Sequence, residues 1–254
     1  MASPHAATPE EMVEAISGRL STDPAWLQFG DRQLVPSEVV ALLDTYVTEE
    51  RKDRLEAVLR ERTDDVAVVI EGMVDLGNVG AVMRSADGFG VQAVHAIDTA
   101  DAYKRSRRTS QGADKWLDRT RWASAGPCIE HLHASGFTVF AADIGDHSTP
   151  IGEVDLTGRV AIVFGNELSG ISPEMHQLVD AHVEIPMAGF SESFNISVAA
   201  AVALYEVRRQ RVERFGRNGD MSPERIEQLR AVWYLQSVRE SDLLVRRLID
   251  DQGA

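Results

Sequence analysis

The sequence predicts an α/β protein whose core is a mostly parallel sheet with helices on both faces. Three observations carry this prediction. Short runs of branched apolar residues recur at 66–70 (VAVVI), 91–97 (VQAVHAI), 137–141 (FTVFA) and 160–164 (VAIVF). These runs are nearly continuous rather than alternating, the pattern of strands buried on both faces. Segments with helical spacing and helical start signals separate them, and strands that alternate with helices imply βαβ units.

Taken in order, residues 1–45 read as an N-terminal helical extension punctuated by Pro4, Pro9, Pro24 and Pro36. Helical patterns fall at 10–20 and 37–46, the second with Ser37 as its cap and Val39, Val40, Leu42 and Leu43 on its apolar side. Residues 48–62 form a charged helix with Leu55, Val58 and Leu59 on one face, leading into a core that spans 46–208. Within the core the expected order is strand 66–70, helix 79–89, strand 91–97, a third strand within 115–122, helix 127–135 and strand 137–141. Strand 160–164 and a helix over 172–180 follow, where Ser172 caps and Pro173 takes the first helical position. Strand 182–185 is stopped by Pro186, and an alanine-rich helix begins after Ser193 or Asn195, either of which can cap it. From 209 to 254 the chain reads as a polar, helical C-terminal extension, with a last helix opening at Ser222-Pro223-Glu224 and carrying Trp233, Tyr234 and Leu235.

Composition narrows the function classes. The chain has 254 residues, 44% hydrophobic and 26% charged, and no run near the roughly 18 apolar residues of a membrane span. Its one cysteine, Cys128, leaves no internal disulfide, and the opening residues lack a basic start and apolar stretch, so a cytoplasmic protein is expected. The formal net charge of -14 argues against a broad phosphate-binding face. Distribution matters more than the sum, because Lys104, Arg105, Arg107 and Arg108 lie together in YKRSRRTSQG. A second basic run holds Arg208, Arg209, Arg211, Arg214 and Arg217. Any RNA contact is therefore expected to be local and salt-sensitive, centred on Lys104–Arg108.

In a parallel sheet, ligands sit outside the carboxyl ends of the strands. Three of those ends are unusually polar or rich in glycine. After Ile70 comes EGMVDLGNVGAVMRSADGFG, with Asn78 and Arg84 six residues apart; after Phe164 comes GNELSG, with Glu167; after Ile185 comes a loop with Ser191, Ser193 and Asn195. GNVGAV does not supply the Gly-x-Gly-x-x-Gly of a dinucleotide site, which disfavours an oxidoreductase. Cys128, His131 and His133 do not make a metal site, since residues two apart do not share a helix face, and no metal is expected. Trp116 and Trp122 read as packing residues rather than RNA-stacking ones.

These segments, in this order, resemble the SpoU branch of the SPOUT RNA 2′-O-methyltransferases. The first matches as Asn78-x-Gly80-x-x-x-Arg84 and the second as Phe164-Gly165-Asn166-Glu167-x-x-Gly170. The third matches as Ile185-Pro186-Met187 followed by Ser193-Phe194-Asn195-Ile196-Ser197-Val198-Ala199-Ala200. The resemblance runs from about Thr48 to about residue 245. The charged leading helix, the TSQGADKW stretch and the trailing helices look most like the tRNA guanosine-2′-O-methyltransferases within it. It implies a deep trefoil knot in the C-terminal third of the sheet, a homodimer, and S-adenosylmethionine bound by the knot loops. By position it implies cofactor contacts at Ala141, Gly165, Ile185, Met187 and Phe194, and a catalytic set of Asn78, Arg84, Glu167, Ser193 and Asn195. The implied reaction is methylation of a ribose 2′-hydroxyl, at the D-loop guanosine 18 of tRNA. Ribosomal RNA is the alternative substrate, and a non-catalytic RNA-binding protein that keeps the fold is the alternative class. The sequence departs from the family at Phe194 and Ile196, where leucine and valine are usual, and Leu76-Gly77 before Asn78 is closer to the wider SpoU group than to the Pro-His pair of its tRNA guanosine members.

Overall fold

The computed structural model describes residues 27–72, 75–97, 112–166 and 168–252. They form two compact units, one made of the described residues up to Arg60 together with those from Met221 onward, the other running from Glu61 to Asp220.

The first unit opens with a hairpin that the sequence did not announce, β1 (Leu27–Phe29) paired antiparallel with β2 (Arg32–Leu34). Gly30 turns it with φ of 65°, a conformation that favours glycine. Helix α1 (Pro36–Leu43) follows, and its start differs from the expected one. Pro36 takes the first helical position, and the Glu38 carboxylate accepts from Val35 N at 2.9 Å, so Ser37 lies inside the first turn. Helix α2 (Glu49–Leu59) is capped by Thr48, whose hydroxyl accepts from Arg51 N. It buries Leu55 and Leu59.

The second unit holds a seven-stranded sheet in which every pairing is parallel, in the order β5-β4-β3-β8-β6-β9-β7. The strands are β3 (Thr63–Glu71), β4 (Val91–Ile97), β5 (Asp118–Trp122), β6 (Thr138–Ala142), β7 (Thr149–Pro150), β8 (Val160–Phe164) and β9 (Ala181–Glu184). The run 115–122 is only partly strand, because Ala113–Trp116 forms a 3-10 turn before β5. β3 and β8 are buried along nearly their whole length, as their continuous apolar runs require.

Helices cover both faces of this sheet. On one face, α3 (Leu76–Gly88) packs against α6 (Ile196–Phe215), and Val79, Val82, Met83 and Ala86 meet Ala200, Ala203, Leu204 and Val207. Six of the eight are alanine or valine, so the two backbones approach closely over β3 and β8. On the other face, α4 (Ala125–Ala134) and α5 (Pro173–Leu178) cover Val69, Val139, Ala141 and Val163 with Cys128, Ile129, Leu132 and Met175. Ser172 caps α5 through Met175 N at 3.1 Å, as its sequence indicates. Its own hydroxyl and amide donate to the buried Glu71 carboxylate at 2.6 and 3.0 Å, which ties α5 to the end of β3.

The C-terminal helices α7 (Pro223–Ser237) and α8 (Ser241–Gln252) belong to the first unit. α7 packs on α1 and α2, and Glu56 takes a two-pronged bond from Arg230. Its Trp233, Tyr234 and Leu235 are buried, so this part of the chain is less polar in place than in sequence. Among the described residues no helix is long and apolar enough to cross a membrane.

Candidate active site

The carboxyl ends of β6, β8 and β9 open into a cavity of about 320 Å³, within the usual range for small-molecule sites. Ile151, Phe164, Val183 and Ile185 give it apolar walls, and Ala199 and Ala203 of α6 contribute small side chains. Asp143, Glu184, Asn166, Ser193 and Asn195 supply its polar groups.

Each wall has a sequence cause. β6 alternates in direction, so Phe140 packs on the α3–α6 face while Ala141 is fully buried among Cys128 and Ile129 on the other. The cavity wall at this strand end is therefore Ala142, Asp143 and Ile144 rather than the Ala141 side chain. After β8 the chain makes a closed loop, with Asn166 and Gly170 exchanging backbone bonds of 2.9 Å in both directions. Asn166 organises it further. Its Oδ1 accepts from Leu168 N and Ser169 N at 2.8 and 3.1 Å, and its Nδ2 donates to Gly72 O at 2.6 Å. Gly165 is dictated by crowding, since a Cβ there would lie 2.4 Å from the carbonyl carbon and oxygen of Gly170.

The third wall is the loop between β9 and α6. Asn195 caps α6, its side chain accepting from Ser197 N at 2.9 Å. Its Nδ2 then donates to Asn78 Oδ1 at 3.1 Å, across 117 residues of sequence. Asn78 is held in the first turn of α3 because Asp75 caps that helix, accepting from Gly77 N and Asn78 N at 2.6 and 3.2 Å. The helix thus begins three residues before the expected position 79. Ser193, Phe194 and Ile185 line the cavity, and Met187 is half-buried beside Pro186 without lining it.

Arg84 lies on the exposed side of α3, six positions after Asn78 and so about 120° around the helix and about 9 Å along it. It makes no ion pair among the described residues. Glu167 and the basic stretch Lys104, Arg105, Arg107 and Arg108 lie outside the described residues.

The second basic run is described, and three of its five arginines are held by internal partners, while Arg214 and Arg217 are exposed. Arg211 is buried and donates to Thr157 O and Gly158 O at 2.9 and 3.2 Å while pairing with Asp220. Arg209 is bracketed by Glu206 and Glu213 at 2.8 and 2.7 Å, and Arg208 meets Glu61 at 3.0 Å. Cys128 is buried, and burial pushes its thiol up to about 12, which leaves it inert. Trp122 is a packing residue with a polar anchor, its indole N–H donating to His95 Nδ1 at 3.0 Å.

Residues 65–205, more than half of the chain, match the SpoU rRNA Methylase family. The chain belongs to the SpoU methylase family. A tRNA (guanosine(18)-2′-O)-methyltransferase of Thermus thermophilus is 37% identical over 166 residues, which cover 65% of this chain and 86% of that protein. The crystal structure of a TrmH/SpoU tRNA modifying enzyme of A. aeolicus matches with a TM-score of 0.68 at 31% identity, covering 76% of this chain and 98% of that one. The SpoU methyltransferase AviRb of Streptomyces viridochromogenes, solved in complex with AdoMet, matches at 0.54 and 30% identity, over 60% and 59% of the two chains.

The second and third SpoU motifs thus contribute walls of one cavity, and the first is joined to it through the Asn78–Asn195 bond. Three polar lining residues escaped the sequence reading as site members: Asn166, Asp143 and Glu184. Asn166 stood inside a recognised motif, and its two-glycine loop was a signal that an amide might organise the turn. Asp143 and Glu184 carried none, because a carboxylate just past a strand end is ordinary surface in sequence.

Proposed function

We propose that this SpoU-family chain methylates a ribose 2′-hydroxyl of tRNA, at guanosine 18 of the D-loop, using S-adenosylmethionine in the cytoplasm. The observation that carries the reading is the Asn195–Asn78 bond of 3.1 Å, which joins the cavity-lining loop to the helix that bears Arg84. The guanosine specificity rests on the likeness to the T. thermophilus tRNA methyltransferase.

The cavity fits the cofactor by its donor set. Ile151, Phe164, Val183 and Ile185 offer apolar surface to a purine, and Asp143 and Glu184 offer carboxylates to a cationic group. Ile185 and Phe194 would hold it with Met187, and the backbone at Ala141 and Gly165 would complete the contact. When bound, S-adenosylmethionine supplies a methyl group already activated by its sulfonium.

The chain's own residues then have to place a weak nucleophile and remove its proton. Asn78 and Asn195, fixed to each other, orient the ribose, and Ser193 adds a hydroxyl beside them. An arginine stays protonated at neutral pH, so Arg84 binds the adjacent phosphate and its charge favours the 2′-oxyanion. Glu167 serves as a positioning residue for this set.

The reading extends to a trefoil knot in the C-terminal third of the core and to a homodimer. An apolar stripe supports the dimer: Val198, Val202 and Tyr205 are exposed at helical spacing on α6, and Phe194 is exposed just before it.

The test incubates the chain with unmodified tRNA or ribosomal RNA and radiolabelled S-adenosylmethionine, and maps the labelled nucleotide. Label on the 2′-oxygen of guanosine 18 is expected. Label confined to ribosomal RNA would overturn the substrate and keep the reaction. Arg84→Ala should lower turnover by roughly a hundredfold or more, as removal of a transition-state charge does, with cofactor affinity unchanged. Near-normal turnover in that variant would remove Arg84 from the mechanism.

A further inference from the structure

Of one group of four ligating side chains, only Asp143 enters the reading above, and its three histidines have no part in it. Asp143 follows β6, His147 stands four residues on, His176 is in α5, and His182 is in β9. One ligand atom from each of these four residues lies within 4.8 Å of all the others. Asp143 Oδ2 is 3.4 Å from His147 Nε2 and 3.6 Å from His176 Nε2. The His182 ring stands edge-on to His147 at 4.4 Å between centroids and stacks on His176 at 5.0 Å.

Adjacent ligands of a tetrahedral zinc ion with bonds of about 2.0 Å are about 3.3 Å apart. Two edges of such a tetrahedron are therefore nearly in place, and small side-chain rotations bring in the rest. A second observation points the same way. His182 Nδ1 is buried and has no hydrogen-bond partner among the described residues. Leaving a buried nitrogen unsatisfied is unfavourable, and an ion–ligand bond at that atom offsets it. Gathering three imidazoles serves no evident packing purpose either, since His147 is half-exposed and the rings bring only one carboxylate with them.

We propose that Asp143, His147, His176 and His182 bind a divalent ion of the zinc type. Imidazole with one carboxylate suits zinc, whereas magnesium and calcium select all-oxygen sets. Four protein ligands close the coordination sphere, which is the arrangement of a structural site rather than a catalytic one. The ion clamps the 143–148 segment onto α5 and β9, adding to the Asp143 N to Val183 O bond of 3.0 Å that already anchors it. Because Asp143 also lines the cavity, the clamp fixes one cavity wall.

The experiment uses the full chain with any affinity tag removed, stripped of metal, incubated with zinc chloride and freed of unbound ion by gel filtration. Mass spectrometry of the elements should find about one zinc retained per chain, with none of the magnesium offered in parallel. Loading should also raise the thermal midpoint. His147→Ala, at a half-exposed position that tolerates truncation, should fold normally and weaken zinc binding roughly tenfold or more. His182→Gln should do the same, while His133→Ala, whose ring pairs with Asp180 outside the cluster, should bind as the parent does. No retained zinc in the parent chain, or equal retention in His147→Ala and His182→Gln, would overturn the site.

Discussion

Gly165 shows how one residue type can be forced by its neighbours. Its φ is ordinary, and what excludes a side chain is the backbone of Gly170 at 2.4 Å, which cannot swing aside as a flexible side chain would. Gly165→Ala should therefore push the 165–170 loop outward at a cost of roughly 1–3 kcal/mol, the range for overpacking a tight site. Thermal unfolding should report the loss, and calorimetric titration should find weaker S-adenosylmethionine binding; a variant as stable and as tight as the parent would show the loop to be pliant. His95 is a second case where surroundings decide behaviour. It is buried, accepts from the Trp122 indole, and burial, aided by the nearby His131, lowers its pKa from 6.5 to about 4. The unfolded imidazole takes up a proton near pH 6.5, while the folded one stays neutral until about 4. Acid thus favours the unfolded chain across that window, and the stability present above pH 6.5 is lost as the pH falls towards 4. The loss amounts to roughly 3 kcal/mol at its end. His95→Gln keeps an acceptor for Trp122 and cannot titrate, so denaturant melts should show a flatter acid limb; parallel limbs for the two proteins would refute the assignment.

Elements were legible where local chemistry alone sets them. The largely apolar run of β4 and the uninterrupted one of β8 gave those strands to the residue, and Ser172-Pro173 gave the start of α5. Misses fell where a partner distant in sequence or an unremarkable side chain decides. The start of α3 moved to Leu76 because Asp75, one acid among forty, happens to cap it. The His and Asp ligands are spread over 40 residues and three elements, so only the pairing of β6 with β9 brings them together. The Asn78–Asn195 bond was likewise visible only as a resemblance between motifs until α3 and α6 packed face to face. The same reasoning bears on RNA contact. With Arg208, Arg209 and Arg211 held by internal acids or carbonyls, electrostatic binding is left to the 104–108 stretch and to the exposed Arg214 and Arg217. Changing Arg105, Arg107 and Arg108 to Ala should weaken tRNA affinity and flatten its salt dependence, each lost phosphate contact removing about 0.9 from the logarithmic slope on duplex. Filter binding over a range of salt concentrations would measure this, and an unchanged slope would place the RNA elsewhere.

At the scale of the whole molecule, an acidic protein of net charge -14 is an unexpected partner for RNA. Many of its charges are internal to the fold, since Asp220, Asp87, Glu56, Glu206 and Glu213 each hold an arginine. Near the cavity an apolar stripe stays exposed: Phe194 at its wall, then Val198, Val202 and Tyr205 along α6, with Val202 37% exposed and Tyr205 58%. Such a stripe on a long helix gains most by meeting its own copy, because a twofold contact doubles every side chain it covers. A stable contact of this kind buries about 1,200–2,000 Å² in all, more than one stripe provides, so the loop after β9 would join it. Placing a charge at Val202 tests the idea without touching the cavity lining. Val202→Glu should leave the thermal midpoint of the folded chain nearly unchanged, because the site faces outward. Light scattering should find the parent at twice the chain mass and the variant at once the mass at low micromolar concentration. A parent already at single-chain mass, or a variant still at double, would show that the stripe does not join two copies.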